Sequence, residues 1–333
     1  MYNSFLNVFS KNKSNKIPLW LMRQAGRYLP EYWEVRNKAK DFIDFCNRPE
    51  LTIEATLQPI RRFDFDAAII FSDILIIPSA LNLNVKFIDQ KGPIIEDFDI
   101  ENYNCELNLS KLQPVYDSIR EVRGILPPEK TLIGFAGAPW TLATYIIEGQ
   151  TSKSFNKTKL LAFQHPEKFE NFLNDLTKNV AQHLINQVKA GADVLQIFDS
   201  WAGAVPYNKF DQWVINPTKR IVELVKNEFP NTPIIGFPRG VGVNYSKYAM
   251  GTGVDGISLD ELVDPQTVKF DNIVIQGGLD PNLLVAGGSE LVNQVNFLKE
   301  FYQDKKYIFN LGHGILPNTP INHVEKLVEL VRS

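Results

Sequence analysis

Eight short apolar runs, each closed by polar or glycine-containing residues and followed by a longer stretch of helical period, constrain this chain more than any other feature. They are Leu19 to Arg23, Ala67 to Asp73, Leu132 to Gly137, Val194 to Ser200, Ile234 to Arg239, Gly256 to Asp260, Ile273 to Gly278 and Tyr307 to Leu311. Runs such as Ala-Ala-Ile-Ile-Phe (67–71) are continuously apolar rather than alternating, the mark of strands covered on both faces in a parallel sheet. Between them, Phe169, Phe172, Leu173, Leu176, Val180, Leu184 and Val188 step by three and four, and Gly191 follows as a helix-ending residue. Pro217 opens a second such segment through Ile221, Leu224 and Val225, and Pro230 ends it. Leu291, Val295 and Leu298, then Val324, Leu327, Val328 and Val331, give two more apolar stripes. Strands alternating with helices admit a doubly wound sheet or a (β/α)8 barrel, and eight of them favour the TIM barrel. The interval from Ile74 to Lys130 exceeds one helix and predicts an excursion near Leu81 to Ile95, between strands 2 and 3. At about 150 residues per domain the length of 333 would imply two domains, yet α/β barrels exceed that figure as one unit. No linker, repeat or low-complexity run divides the chain, so the expectation is a single α/β domain over 1–333.

Lys plus Arg number 35 and Asp plus Glu 38, a formal charge of −3, so nothing global draws the chain to nucleic acid or an anionic membrane, and any anion binding must be local. Cys46 and Cys105 cannot build a disulfide framework and form no CxxC motif, which fits a reducing cytoplasm. Met1 to Lys16 is polar and lysine-dotted, and no run approaches the ~20 apolar residues of a membrane span; the expected location is cytoplasmic. The four histidines show no HxxxH or HExxH spacing, so no metal site is expected. Gly251, Gly253 and Gly256 match GxGxxG formally, but the segment after them reads as a strand where a dinucleotide fold needs a helix.

Barrel active sites lie at the carboxyl ends of the strands, and the residues there are unusually polar: Met-Arg-Gln-Ala-Gly-Arg (22–27), Phe-Ser-Asp (71–73), Ala-Gly-Ala-Pro-Trp (136–140), Phe-Asp-Ser-Trp-Ala-Gly (198–203), Phe-Pro-Arg-Gly (237–240), Leu-Asp (259–260), Gln-Gly-Gly-Leu-Asp (276–280) and Leu-Gly-His-Gly (311–314). Arg23, Arg27 and Arg36 cluster, two of them bracketing a small Gln-Ala-Gly turn; their forks suit a polycarboxylate or phosphate, and equally a set of surface salt bridges. Asp73 is either a helix N-cap or a carboxylate facing the mouth, and His313 either a hydrogen-bonded structural group or a participant in chemistry.

Pro-Leu-Trp-Leu-Met-Arg-Gln-Ala-Gly-Arg-Tyr-Leu-Pro-Glu-Tyr (18–32), Ile-Ile-Phe-Ser-Asp-Ile-Leu (69–75), Gly-Phe-Ala-Gly-Ala-Pro-Trp-Thr-Leu (134–142) and Asn-Leu-Gly-His-Gly-Ile (310–315), in that order, resemble the uroporphyrinogen decarboxylases, from about Pro18 to Arg332. The resemblance implies a cytoplasmic, homodimeric barrel enzyme, a carboxy-lyase that converts the four acetate side chains of uroporphyrinogen III to methyls. Its product is coproporphyrinogen III, in porphyrin and haem biosynthesis, and it uses no cofactor and no metal. By motif match, Arg23, Gln24, Arg27 and Arg36, with Ala25 and Gly26 between them, would bind substrate carboxylates. Asp73 would meet the pyrrole N–H groups, Tyr145, Ser200 and His313 further substrate groups, and Phe198 would line an apolar floor. Asp73, Arg23, Tyr145 and His313 would be the catalytic set. Two positions depart from the family's usual pattern: Glu261 stands where Trp is usual and Gly278 where Asn is usual. A zinc-dependent methyltransferase of related fold would need a His and Cys set that the two cysteines, away from the strand ends, do not supply. A non-catalytic tetrapyrrole carrier with the same anion clamp is distinguished by turnover alone.

Overall fold

The computed structural model describes residues 3–10, 16–88, 92–96, 98–270 and 272–333. Seven strands form one all-parallel sheet: β1 (Ala67–Ile69), then β4 (Thr131–Gly137), β5 (Val194–Asp199), β6 (Ile234–Pro238), β7 (Gly256–Leu259), β8 (Val274–Gly277) and β9 (Tyr307–Ile308), in that spatial order. The intervening β2 (Asn84–Ile88) and β3 (Gly92–Glu96) make a separate antiparallel hairpin. This hairpin is the predicted excursion; residues 89–91, which fall inside it, lie outside the described residues, as do 1–2 and 11–15 of the polar N-terminal stretch.

The eighth stave is the segment around Leu19, and it closes the barrel with fewer ladder bonds than its predicted length implies. Leu19 pairs in parallel with Phe309; Trp20 N–H donates to Phe309 C=O at 3.3 Å and Phe309 N–H to Pro18 C=O at 2.8 Å. On the other side Asp66 N–H donates to Leu19 C=O at 2.9 Å. Beyond Trp20 the backbone turns into the mouth, with Gln24 N–H bonded to Leu21 C=O and Arg23 at φ 60°. Side chains then stand in for the missing strand partners: Asp66 Oδ2 accepts from Leu19 N–H, Asn310 Oδ1 from Met22 N–H, and Gln24 joins Leu21 N–H to Ala67 C=O. Buried backbone donors must find partners, so a strand that ends early needs such substitutes.

Inside the barrel, Trp20, Met22, Ala67, Ile69, Ile133, Val194, Ile235, Phe237, Val274 and Ile308 form one apolar cluster, joined by Phe5 and Val8 of the helix Ser4–Phe9, which plugs the end opposite the mouth. A buried polar layer crosses this interior: Trp20 Nε1–H donates to Gln276 Oε1 at 2.9 Å, and Gln276 Nε2 donates to Gln196 and Ser258. The alternate residues, such as Leu132, Leu195 and Ile234, face the surrounding helices in a second core. The expected helices are present as Pro166–Ala190, Asn216–Glu228, Gly288–Tyr302 and Ile321–Arg332, and Gly191 takes φ 116° at the end of the first. Gly251 and Gly253 end a helix and Gly256 begins β7, the reverse of a dinucleotide-binding turn. Among the described residues no helix is long and apolar enough to cross a membrane.

Asp66 holds the closing stave from three sides, through Leu19 N–H, Ser4 Oγ and Lys16 Nζ. Asp66→Ala is therefore expected to destabilise the protein by about 2–4 kcal/mol, since it strands a buried donor and removes charge-assisted bonds. Asp66→Asn, which keeps one acceptor, should lose less; equal melting temperatures for Asp66→Ala and wild type would contradict this role.

Candidate active site

The strand ends deliver their polar residues to one mouth, and the rim there is built by close backbone approach. A Cβ on Gly312 would lie 2.3 Å from Glu261 N, and one on Gly203 would lie 2.5 Å from Gly240 C=O, so these loops meet only because the residues are glycine. Gly314 serves a different purpose: the Arg23 side chain lies across it, its Cδ 2.4 Å from where a Cβ would sit. Arg23 itself holds a left-handed backbone at φ 60°, a conformation that costs a non-glycine residue about 1 kcal/mol or more. It is maintained at the point where the guanidinium enters the mouth.

Arg23, Asp73, Tyr145 and His313 come together as the motif match implies. Burial pushes the Asp73 carboxyl above its usual range, against the opposing pull of Leu75 N–H and of the Arg23 guanidinium. Its Oδ1 accepts from Leu75 N–H at 2.8 Å in the turn before the helix Ile76–Ala80, whose N-cap is Leu75 with no side-chain cap bond, so Asp73 is not the helix N-cap. One oxygen does this work, and no protein donor among the described residues is assigned to the other. Tyr145 feels both Asp73 and Arg23; burial raises its phenol, which keeps the proton. His313 is pushed down to about 3 by burial and then by Arg23 and Arg239, so at neutral pH it is an uncharged imidazole and cannot act as a resident imidazolium acid. Its Nδ1 is buried with no partner.

Below these groups lies an aromatic floor: Phe198 meets Phe135 edge to face at 5.6 Å and Phe237 at 6.2 Å, and Phe237 lies 6.4 Å from the His313 ring. Arg27 is exposed on the rim; Arg36, half-buried, stacks over Phe45 and shares the surroundings of Cys46 with Asp73. Among the described residues Arg23, Arg27 and Arg36 have no carboxylate partner, whereas Arg48, Arg61, Arg62, Arg120, Arg123, Arg220, Arg239 and Arg332 all do. The surface salt-bridge reading of the three-arginine cluster is thereby removed. Gln24 is different from its neighbours: it is buried and spends its amide on Leu21 and Ala67, so it positions the arginines rather than facing the mouth. Ala25 and Gly26 are half-buried in the turn it anchors.

Ser200 is half-buried at the end of β5, next to a group that the sequence did not single out. Asp199 is buried; Thr141 Oγ–H donates to its Oδ1 at 2.5 Å, Trp201 N–H donates to Thr141 Oγ, and Trp201 packs 6.1 Å from Tyr145. Burial pushes the Asp199 carboxyl up to about 7. Arg239 and Glu261, also unassigned by the sequence, pair at 3.4 Å on the His313 side of the mouth. All three lie within or directly beside strand-end strings; Glu261 stood out in the sequence only as a departure from the family pattern, and nothing there separated Asp199 and Arg239 from their structural neighbours. Gly278, the other departure, adopts φ 99°, a conformation that glycine takes freely and Asn tolerates.

The raised Asp199 carboxyl has a stability consequence of defined sign. An unfolded aspartate ionises near ~4, the native one at about 7, so between these values unfolding releases a proton and stability falls as pH rises; above the native value the loss is complete. Melting temperatures of wild type and Asp199→Asn from pH 4.5 to 8 should diverge in favour of Asn as pH rises. Parallel curves would show that Asp199 ionises normally.

The family model described as uroporphyrinogen decarboxylase (URO-D) matches residues 2–333. Proteins named uroporphyrinogen decarboxylase are 48% identical to the chain in Maricaulis maris, over 98% of this chain and 96% of the relative, and 44% identical in Rickettsia conorii, over 97% and 94%. Among solved structures, a methyltransferase from Methanosarcina mazei superposes with a TM-score of 0.77 at 17% identity, covering 99% of this chain and 98% of the other. A B12-independent methionine synthase from Shewanella gives 0.52 at 12%, covering 84% and 86%. At such identities the two structures speak to the barrel fold alone.

Proposed function

Because the chain belongs to the uroporphyrinogen decarboxylase family, we propose that it removes carbon dioxide from the four acetate side chains of uroporphyrinogen III, giving coproporphyrinogen III. The observation that carries this reading to the residues is the trio of arginines without carboxylate partners beside a half-buried Asp73. A site with spare guanidinium charge at its rim and the Asp73 carboxylate within suits a ligand with anionic arms and a centre of N–H groups. Arg23, Arg27 and Arg36 bind the arms, held by the turn that Gln24 anchors. Asp73 accepts from the pyrrole N–H groups and stabilises positive charge there. Phe198 forms the floor, and Ser200, Tyr145 and neutral His313 offer polar contacts around it.

For each acetate, protonation of the pyrrole at a ring carbon creates a cation. The bond to the carboxylate then breaks, its electron pair flows into the ring, and carbon dioxide leaves. Protonation of the exocyclic methylene and loss of the ring-carbon proton finish the methyl group. The ring accepts the electrons, so the reaction needs neither cofactor nor metal. The protein's work is to curl a flexible substrate and to place charge where charge develops.

The working molecule in this reading is a cytoplasmic homodimer with the two mouths facing each other. Tyr207 and Val243, each in a single 3-10 turn after β5 and β6, and Leu262 after β7 are strongly exposed and support an apolar contact on that face. Sedimentation should show a dimer at micromolar concentration, shifted towards monomer by Leu262→Asp; a wild-type monomer would refute it.

Anaerobic incubation with uroporphyrinogen should give stepwise loss of four carboxylates, undiminished by chelators. Arg23→Ala is expected to raise KM at least tenfold with an unchanged melting temperature. Asp73→Asn should lower kcat far more than it weakens binding, because it keeps shape and loses charge. Near-wild-type turnover by folded Asp73→Asn would remove Asp73 from the mechanism; Asp73 acting only in the turn at Leu75 predicts that result, with a stability loss of roughly 0.5–2 kcal/mol in Asp73→Ala.

A further inference from the structure

We propose that Arg239 is a further carboxylate-binding residue for the substrate, set across His313 from Arg23, and that Glu261 is the tether that an incoming carboxylate displaces. The proposal rests on the decarboxylase reading and adds to it a subsite on the opposite side of the mouth from Arg27 and Arg36.

Backbone packing fixes the arrangement. Arg23 lies over Gly314, His313 follows Gly312, and Gly312 abuts the Asp260–Glu261 peptide, so Arg23, His313 and Glu261 form one continuous arc. Arg239 completes it, pairing with Glu261 while its charge reaches His313 alongside that of Arg23. Its backbone is fixed by Arg239 N–H to Asp199 C=O and by Gly203 N–H to Arg239 C=O. Asp260, buried, locks the next loop by accepting from Gly240 N–H and Tyr245 O–H.

The pair itself is poorly made. Only one contact joins it, Nη2 to Oε1 at 3.4 Å, whereas a guanidinium and a carboxylate free to match form two parallel bonds near ~2.8 Å. Arg239 Nε and Glu261 Oε2 are both buried with no partner, and so is His313 Nδ1. Buried polar atoms left this way cost free energy, and three of them on one arc of the mouth are bonds that a ligand can complete. The donors on offer are a guanidinium edge and an imidazole, between two positive charges, and the chemistry they fit is a carboxylate. Glu261 keeps Arg239 extended towards that place and competes with the carboxylate for it, which makes binding there weaker than at an untethered arginine and sensitive to the number of anionic arms.

The test is steady-state kinetics with uroporphyrinogen, paired with anaerobic equilibrium binding of the same compound and thermal melts, on Arg239→Gln, Arg239→Lys, Glu261→Gln and the Arg239→Gln/Glu261→Gln double variant. Arg239→Gln should raise KM and Kd about tenfold while kcat falls much less. Arg239→Lys, which keeps charge and loses the fork, should fall between it and wild type, and serves if Arg239→Gln does not fold. Glu261→Gln should tighten binding about two- to fivefold. The double variant should keep the weakened binding of Arg239→Gln. Unchanged Kd in folded Arg239→Gln or Arg239→Lys, or recovery of wild-type binding in the double variant, overturns the subsite and leaves a merely structural pair. Absence of wild-type turnover counts against the decarboxylase reading instead, and the binding measurements still decide the subsite.

Discussion

Closure of the barrel by the stave around Leu19 is the constraint on which the rest of the structure depends. That stave carries Arg23, Gln24 and Arg27 on its outgoing end, so its register sets where the positive charge enters the mouth. A full-length strand would have continued the ladder and aimed these side chains elsewhere. The chain instead turns after Trp20, and Asp66, Asn310 and Gln24 satisfy the backbone groups that the turn leaves over. Strain at Arg23 is held in place by a barrel that closes on both sides of it.

The electrostatics of the mouth follow from that geometry. Surface arginines elsewhere in the molecule find carboxylates, a weak interaction that any accessible acid can supply. Arg23, Arg27 and Arg36 have no such acid beside them among the described residues, and the carboxyl of Asp73 is raised by burial against the opposing pull of Leu75 N–H and Arg23. Neutral His313 and protonated Tyr145 add hydrogen-bonding capacity without adding charge. Positive rim and negative centre together describe a ligand of the opposite pattern.

Strand positions were legible because burial on both faces writes itself into a continuous apolar run, and the helices because their stripes have a period of three to four. All eight runs correspond to staves, although Leu19 to Arg23 shrinks to a single bridge and Tyr307 to Leu311 to two residues with a further bridge at Leu311. The functional strings at the strand ends were legible through the barrel rule and, for their chemistry, through the family resemblance. Gln24 shows the limit: adjacency to Arg23 in the sequence placed it among substrate ligands, yet its amide is needed by the backbone. Asp199, Arg239 and the pairing of Arg239 with Glu261 were hidden for the complementary reason. Whether a buried acid is paired, and with what, depends on contacts between loops distant in sequence, which no local pattern records.

Those loop contacts also decide who bends when a substrate binds. Around the mouth, backbone lies on backbone at Gly203 with Gly240 and at Gly312 with Glu261, at distances that leave no room for a methyl group. Buried carboxylates tie the same loops, Asp260 to Gly240 and Tyr245, Asp199 to Thr141. A rim of this kind has few soft degrees of freedom, since moving one loop costs contacts in the next. The proposed substrate, a macrocycle of pyrroles joined by saturated bridges, has many. In the proposed reading the conformational work of binding therefore falls on the ligand, and its ordering entropy must be offset by charge-assisted bonds. Arginine suits that role because its planar fork loses less freedom per hydrogen bond formed than a lysine does.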